Sequence, residues 1–207
     1  VYVVAKENDF NSVEQFAAIL CKHFLKTYPH VSGAKVDLAQ DAWQRLTIDG
    51  KPHDHAFTMA GPQQRICVAK CDRTGHEPEI ISGVRNLTVL KTTASEWKDF
   101  HRDRYRTLKD TSDRILATKV NATWKYRSGQ VDYNAACCSI WGAICNTFAT
   151  THSLGVQQTI MDMGNAALDA CSEISEITFE LPNASPPAFR LVGRVNNGNR
   201  IDAEVAA

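Results

Sequence analysis

Between two strand-like runs, Ala34 to Ile48 and His53 to Met59, stands the stretch Asp49-Gly50-Lys51-Pro52. This stretch reads as a turn into the second run, so the two runs are expected to pair as a hairpin. A helix-period segment precedes it. Asn11 or Ser12 can cap a helix in which Val13, Phe16, Ala17, Leu20, Phe24 and Leu25 share one face, ending before Pro29. A helix with one apolar stripe has to cover a surface.

Further along, Arg65 to Cys71 and Ile80 to Leu90 read as strands separated by a turn around Asp72 to His76. A short helix is expected from Glu96 to Arg102. Ile115 to Tyr126 reads as a long strand, Tyr133 to Phe148 and Val156 to Cys171 as helices, and Ile174 to Leu181 as a strand. The opening run Val1 to Ala5 is also expected to be a strand. The order helix, strand, turn, strand occurs early and recurs after Val156, which suggests two related α+β units, 1–75 and 76–207. With a single short strand ahead of its helix, the first unit would leave a sheet edge unpaired, an edge normally covered by another chain or segment. The chain starts abruptly at Val1, as if cut or processed.

Composition excludes several classes of function. Lys plus Arg and Asp plus Glu are both 23, so no net field draws in nucleic acid or an anionic membrane. The longest apolar runs, such as Ile140 to Ile144, are too short to cross a bilayer, and a signal-peptide pattern is not present. A soluble protein of a reducing compartment, cytoplasmic or peroxisomal, is expected. The seven cysteines are odd in number and lie mostly in apolar segments, which favours reduced core thiols over a disulfide framework. The sequons at Asn86 and Asn121 fall in strand-like runs and are read as chance matches. His53, His55, Cys67 and Cys71 could be imagined as a metal cluster, but the spacing fits no zinc pattern and hydrogen-bonded structural histidines are preferred.

The stretch from Leu87 to Thr118 closely resembles the signature region of urate oxidases. It includes Leu87-Thr-Val-Leu-Lys-Thr-Thr93 and Asp113-Arg-Ile-Leu-Ala-Thr118. Four further segments resemble the same family in the same order: Ile48 to Phe57, Asn121-Ala-Thr-Trp124, Gly155-Val-Gln-Gln-Thr159 and Phe179-Glu-Leu-Pro-Asn183. The resemblance implies an α+β tunnelling fold, in which antiparallel sheets carry helices on one face and several subunits close a barrel. It implies oxidation of urate or a related purine-like heterocycle by O2, with no metal and no organic cofactor. The protein's part is then positioning and proton handling.

By the same resemblance Arg114 is the ligand-binding arginine, and Gln157 clamps the purine through its amide. Val156 offers its backbone N–H, and Leu108 lines the pocket. Trp97 stands where the family has a phenylalanine stacked on the ring. It can stack likewise, or fill a core position on the expected short helix. Asn183 matches the asparagine near the oxygen or water position. Ser185 replaces a family histidine and cannot act as a base near neutral pH. The family's activating lysine and its threonine partner have no match here, so that base is expected from another chain or segment. The alternative is a scaffold that binds a purine-like ligand, or serves as a structural subunit, without catalysis.

Overall fold

In the computed structural model, which describes residues 1–99, 101–107, 109–127, 130–182, 190–196 and 201–206, Asp49 and Gly50 have φ of 50° and 76° and Ile48 pairs with Lys51. These are the two positive φ values that a type I′ hairpin turn requires. The chain divides into two units, Val1–Leu87 and Thr88–Ala207.

The first unit contains α1 (Tyr2–Glu7), α2 (Val13–Thr27), β1 (Gly33–Ile48), β2 (Lys51–Asp72) and β3 (Glu79–Lys91), whose last residues enter the second unit. The strands form an antiparallel sheet in the order β1-β2-β3. Ser12 is the α2 cap, its Oγ accepting from Gln15 N–H at 3.2 Å, while the Gln15 side chain accepts from Asn11 N–H at 2.9 Å. At the other end, Arg73 donates to the carbonyls of Leu25, Tyr28 and Val31. Ala17, Leu20 and Cys21 of α2 pack with Val36, Cys67 and Ala69 of the sheet. Beneath the helix, Glu14 is fully buried. Arg65 grips it with Nε to Oε1 at 3.1 Å and Nη2 to Oε2 at 2.6 Å, and Ser82 Oγ donates to it at 2.7 Å.

Two expectations for this unit fail. The opening run is helix α1 rather than a strand: Ala5 N–H bonds the Val1 carbonyl, Asn8 Nδ2 bonds the Val4 carbonyl, and Val4 alone of these residues reaches the core. A single buried anchor is met by one helical turn, whereas a strand would need a pairing partner along its whole length. The second failure concerns His53–Met59 and Arg65–Cys71, which are one strand and not two. The residues from Ala60 to Gln63, with Gly61 at φ 150°, bulge out opposite Asp41 to Trp43, and the ladder resumes on both sides.

The second unit contains β4 (Leu116–Tyr126), α3 (Tyr133–Thr150), α4 (Val156–Ala170), β5 (Ile174–Pro182), β6 (Arg190–Asn196) and β7 (Ile201–Ala206). Its strands are antiparallel in the order β4-β5-β6-β7, and β6 and β7 were not foreseen from the sequence. Asp132 caps α3, its carboxylate accepting from the N–H groups of Asn134 and Ala135. Buried residues include Ile140, Ile144 and Phe148 of α3, Ile160, Met163 and Ala167 of α4, and Val120, Ala122, Trp124, Ile174, Ile177 and Phe179 of the sheet. Helix-period and strand-period stripes thus meet in one core. The described residues between Glu96 and Arg102 are not helical. Ser95 and Trp97 instead form isolated bridges to Ser153 and Thr111, because the backbone groups there pair across segments. The order helix, strand, strand is present in both units.

Candidate ligand-binding site

Three segments of the second unit are pinned together by their backbones. Ser153 N–H bonds the Ala94 carbonyl at 2.9 Å, and Glu96 N–H bonds the Ser153 carbonyl at 2.7 Å. Trp97 and Thr111 exchange both of their backbone bonds, at 2.8 and 2.9 Å, and Arg114 N–H bonds the Ser95 carbonyl at 2.8 Å. The residues from Ala94 to Trp97 therefore form a central rung between the strand entry at Arg114 and the loop before α4.

That rung brings together most of the residues singled out in the sequence. The Arg114 guanidinium carbon lies 5.3 Å from the centroid of the Trp97 ring system. A Cβ added at Gly155 would meet Gln157 Oε1 at 3.4 Å and Trp97 Cζ3 at 3.9 Å, so the indole edge lies against the start of α4. Gly155 is the N-cap of α4 and supplies no side-chain cap. The first-turn N–H groups, those of Val156 and Gln157 included, give this end of the helix its partial positive charge. Trp97 is half-buried in an extended bridge, not on a helix. Arg114 is also half-buried, and its Nε is buried without a hydrogen-bond partner among the described residues. A buried guanidinium N–H left unmatched is costly unless something else accepts from it.

Other residues hold the arrangement, and the sequence offered little signal for them. Ser153 Oγ and Thr159 Oγ1 are 2.6 Å apart and buried, and Thr159 Oγ1 also donates to the Gly155 carbonyl at 3.1 Å. Hydroxyls six residues apart fall on different faces of a helix and about 20 Å apart along a strand, so their meeting depends on the loop. Glu96 faces two basic side chains: Lys98 Nζ lies 2.6 Å from Oε2, and His152 Nε2 lies 2.9 Å from Oε1. The Lys98 ammonium, aided by His152, holds the Glu96 carboxyl below the usual carboxylate range against the opposing effect of burial. Lys91 Nζ donates to the Thr151 carbonyl at 2.7 Å at the end of α3, and partial burial lowers its pKa.

Leu108, Asn183 and Ser185 lie outside the described residues. Elsewhere, a shallow depression of about 570 Å³ is lined by Trp43, His55 and Phe57, and a smaller one of about 300 Å³ lies beside the start of α2. Neither includes a residue singled out for ligand binding. His53 and His55 are exposed toward the turn end of β2, whereas Cys67 is buried farther along the same strand, so the imagined four-residue metal cluster is not assembled. Among the described residues no helix is long and apolar enough to cross a membrane.

Residues 1–70 and 80–205 match the family model described as Uricase. The chain is 41% identical over 183 residues to the uricase of Arthrobacter globiformis, covering 88% of this chain and 58% of that protein. It is 34% identical over 184 residues to the uricase of Dictyostelium discoideum, covering 88% and 63%. The chain thus spans about three fifths of the length of these curated relatives. The crystal structure of the Arthrobacter globiformis uricase superposes with a TM-score of 0.85 at 36% identity, covering 97% of this chain and 76% of that one. A uricase from Bacillus fastidious gives 0.79 at 18% identity, covering 99% and 69%, a likeness of fold alone.

Proposed function

This chain belongs to the uricase family, and on that premise we propose that its second unit carries the ligand-clamping part of a site that oxidises urate or a related purine-like heterocycle. With urate, the substrate, O2 and water give 5-hydroxyisourate and H2O2, and neither a metal nor an organic cofactor takes part. The fold is the tunnelling fold that the sequence suggested, antiparallel sheets with helices. In this reading Val1–Leu87 and Thr88–Ala207 are a partial and a fuller copy of its unit.

The observation that carries the reading is the Arg114 guanidinium, with its unmatched Nε, held beside Trp97 and the uncapped start of α4. A planar anion whose edge alternates carbonyl oxygen and ring nitrogen can accept from the arginine fork and from Val156 N–H. The Gln157 amide can donate to one ring position and accept from the next. Trp97 offers an aromatic face and Leu108 an apolar wall, while Asn183 serves the oxygen or water position. The activating base comes from chain outside these residues, and further copies of the chain complete the assembly. Nucleic acid and membrane have no part in it.

Loss of urate absorbance coupled to peroxide release, measured on the chain assembled with a polypeptide bearing the family's lysine and threonine, tests the proposal. Peroxide formed in step with urate loss supports it, and an assembly that neither binds nor consumes a purine removes it. Native mass spectrometry addresses the assembly, and a monodisperse monomer of 23.0 kDa would contradict the partner requirement. Ser185 favours the second reading, a binding scaffold without turnover, because a serine cannot replace a histidine in proton transfer. Ser185→His should raise peroxide output about 10- to 100-fold if the rest of the site is competent. No gain in a variant that still binds purine would favour the scaffold.

A further inference from the structure

We propose that Glu96 is a positioning residue for this site, its carboxylate tying the Trp97 segment to the loop before α4 so that the indole face and the helix start are set together. The proposal rests on the ligand-binding reading given above. Glu96 reaches the same loop twice: its backbone N–H bonds the Ser153 carbonyl at 2.7 Å, and its Oε1 meets His152 Nε2 at 2.9 Å. Two attachments from one residue to adjacent residues remove the rotation that a single bond would permit. On the far side of the carboxylate, Lys98 holds Oε2 at 2.6 Å.

An exposed ion pair would contribute little to position, because water and salt replace it easily. Glu96 differs in being only 9% exposed, so its carboxylate has few alternative partners once His152 leaves. Its ionised form is favoured, first by Lys98 and then by His152. The other charged side chains nearby are engaged elsewhere: Lys91 bonds the Thr151 carbonyl, and the Arg114 guanidinium lies beside Trp97. The tie is one residue from Trp97 and three from Gly155, where an added Cβ would come within 3.9 Å of the indole. Loosening it would let the indole edge and the first turn of α4 separate without unfolding either.

Hydrogen exchange of the full chain without ligand reads the tie directly. Glu96→Ala should speed exchange in both 94–98 and 151–157 and leave α2 and β1 unchanged. Glu96→Gln, which keeps an acceptor for His152, should fall between Ala and the parent. Faster exchange confined to 94–98 would overturn the proposal. Xanthine affinity, measured by calorimetry, reads the positioning role. Glu96→Ala should weaken binding about tenfold, and in a Trp97→Leu background the same change should add less than about twofold, since residues acting through one another are not additive. Additive losses would show that Glu96 does not act through Trp97. A parent protein that fails to bind xanthine would refute the ligand-binding reading and the positioning role with it, a result distinct from altered exchange in the ligand-free chain.

Discussion

Replacing Arg114 by alanine tests the site most directly. The backbone at this position is fixed by the bond from Arg114 N–H to the Ser95 carbonyl, which alanine retains, so the change removes the side chain and leaves the segment in place. Two interactions go with it. On the proposed reading, a charge-assisted hydrogen bond to the ligand contributes about 1.5–3 kcal/mol. The contact with Trp97, at 5.3 Å from its centroid, contributes about 0.5–1 kcal/mol at a partly exposed site. Part of the second term is lost from free and bound protein alike and cancels, which leaves about 2–3 kcal/mol, or about 30- to 150-fold in affinity. Arg114→Lys keeps the charge but not the planar fork, and should lie between alanine and the parent. Calorimetric titration of the assembled protein with xanthine, at one fixed ionic strength, measures all three. Equal affinities for parent and Arg114→Ala would show that the guanidinium does not touch the ligand. Full recovery in Arg114→Lys would show that charge alone matters and that the bidentate geometry is wrong.

In the first unit, Arg65→Leu removes the guanidinium from the buried Glu14 carboxylate and leaves the Ser82 hydroxyl donating to it. It should cost about 3–5 kcal/mol in urea unfolding at fixed protein concentration; a loss below about 1 kcal/mol would show that the carboxylate finds another partner. Burial pushes the thiols of Cys21 and Cys67 up to about 12. Mass spectrometry after alkylation at pH 8 should therefore find the exposed Cys138 modified first and Cys21 and Cys67 protected. Both thiols have folded pKa values above the ordinary 9.0, so the stability they contribute is complete below pH 9 and is lost as pH rises toward about 12. Unfolding midpoints independent of pH across that window would contradict the shifts.

Where a short stretch of sequence carries its own physical instruction, the chain could be read without the structure. Asp49-Gly50 demands two left-handed residues, Ser12 offers an oxygen to the first turn of α2, and the apolar stripes of α2, α3 and α4 repeat at the helical period. The resemblance from Leu87 to Thr118 singled out Arg114 and Trp97 by residue type and spacing. It left open whether Trp97 lay on a helix. That depended on groups distant in sequence: Thr111 exchanges backbone bonds with Trp97, and Ser153 bonds both Ala94 and Glu96, which holds the segment extended. Likewise Val1 to Ala5 has the composition of a strand, yet it forms a short helix whose buried residue is Val4. The Glu96–His152 pair and the Ser153–Thr159 contact join residues on a loop and on separate elements. No local periodicity encodes such meetings, because they arise only when the tertiary structure brings the loop before α4 against the segment that carries Trp97.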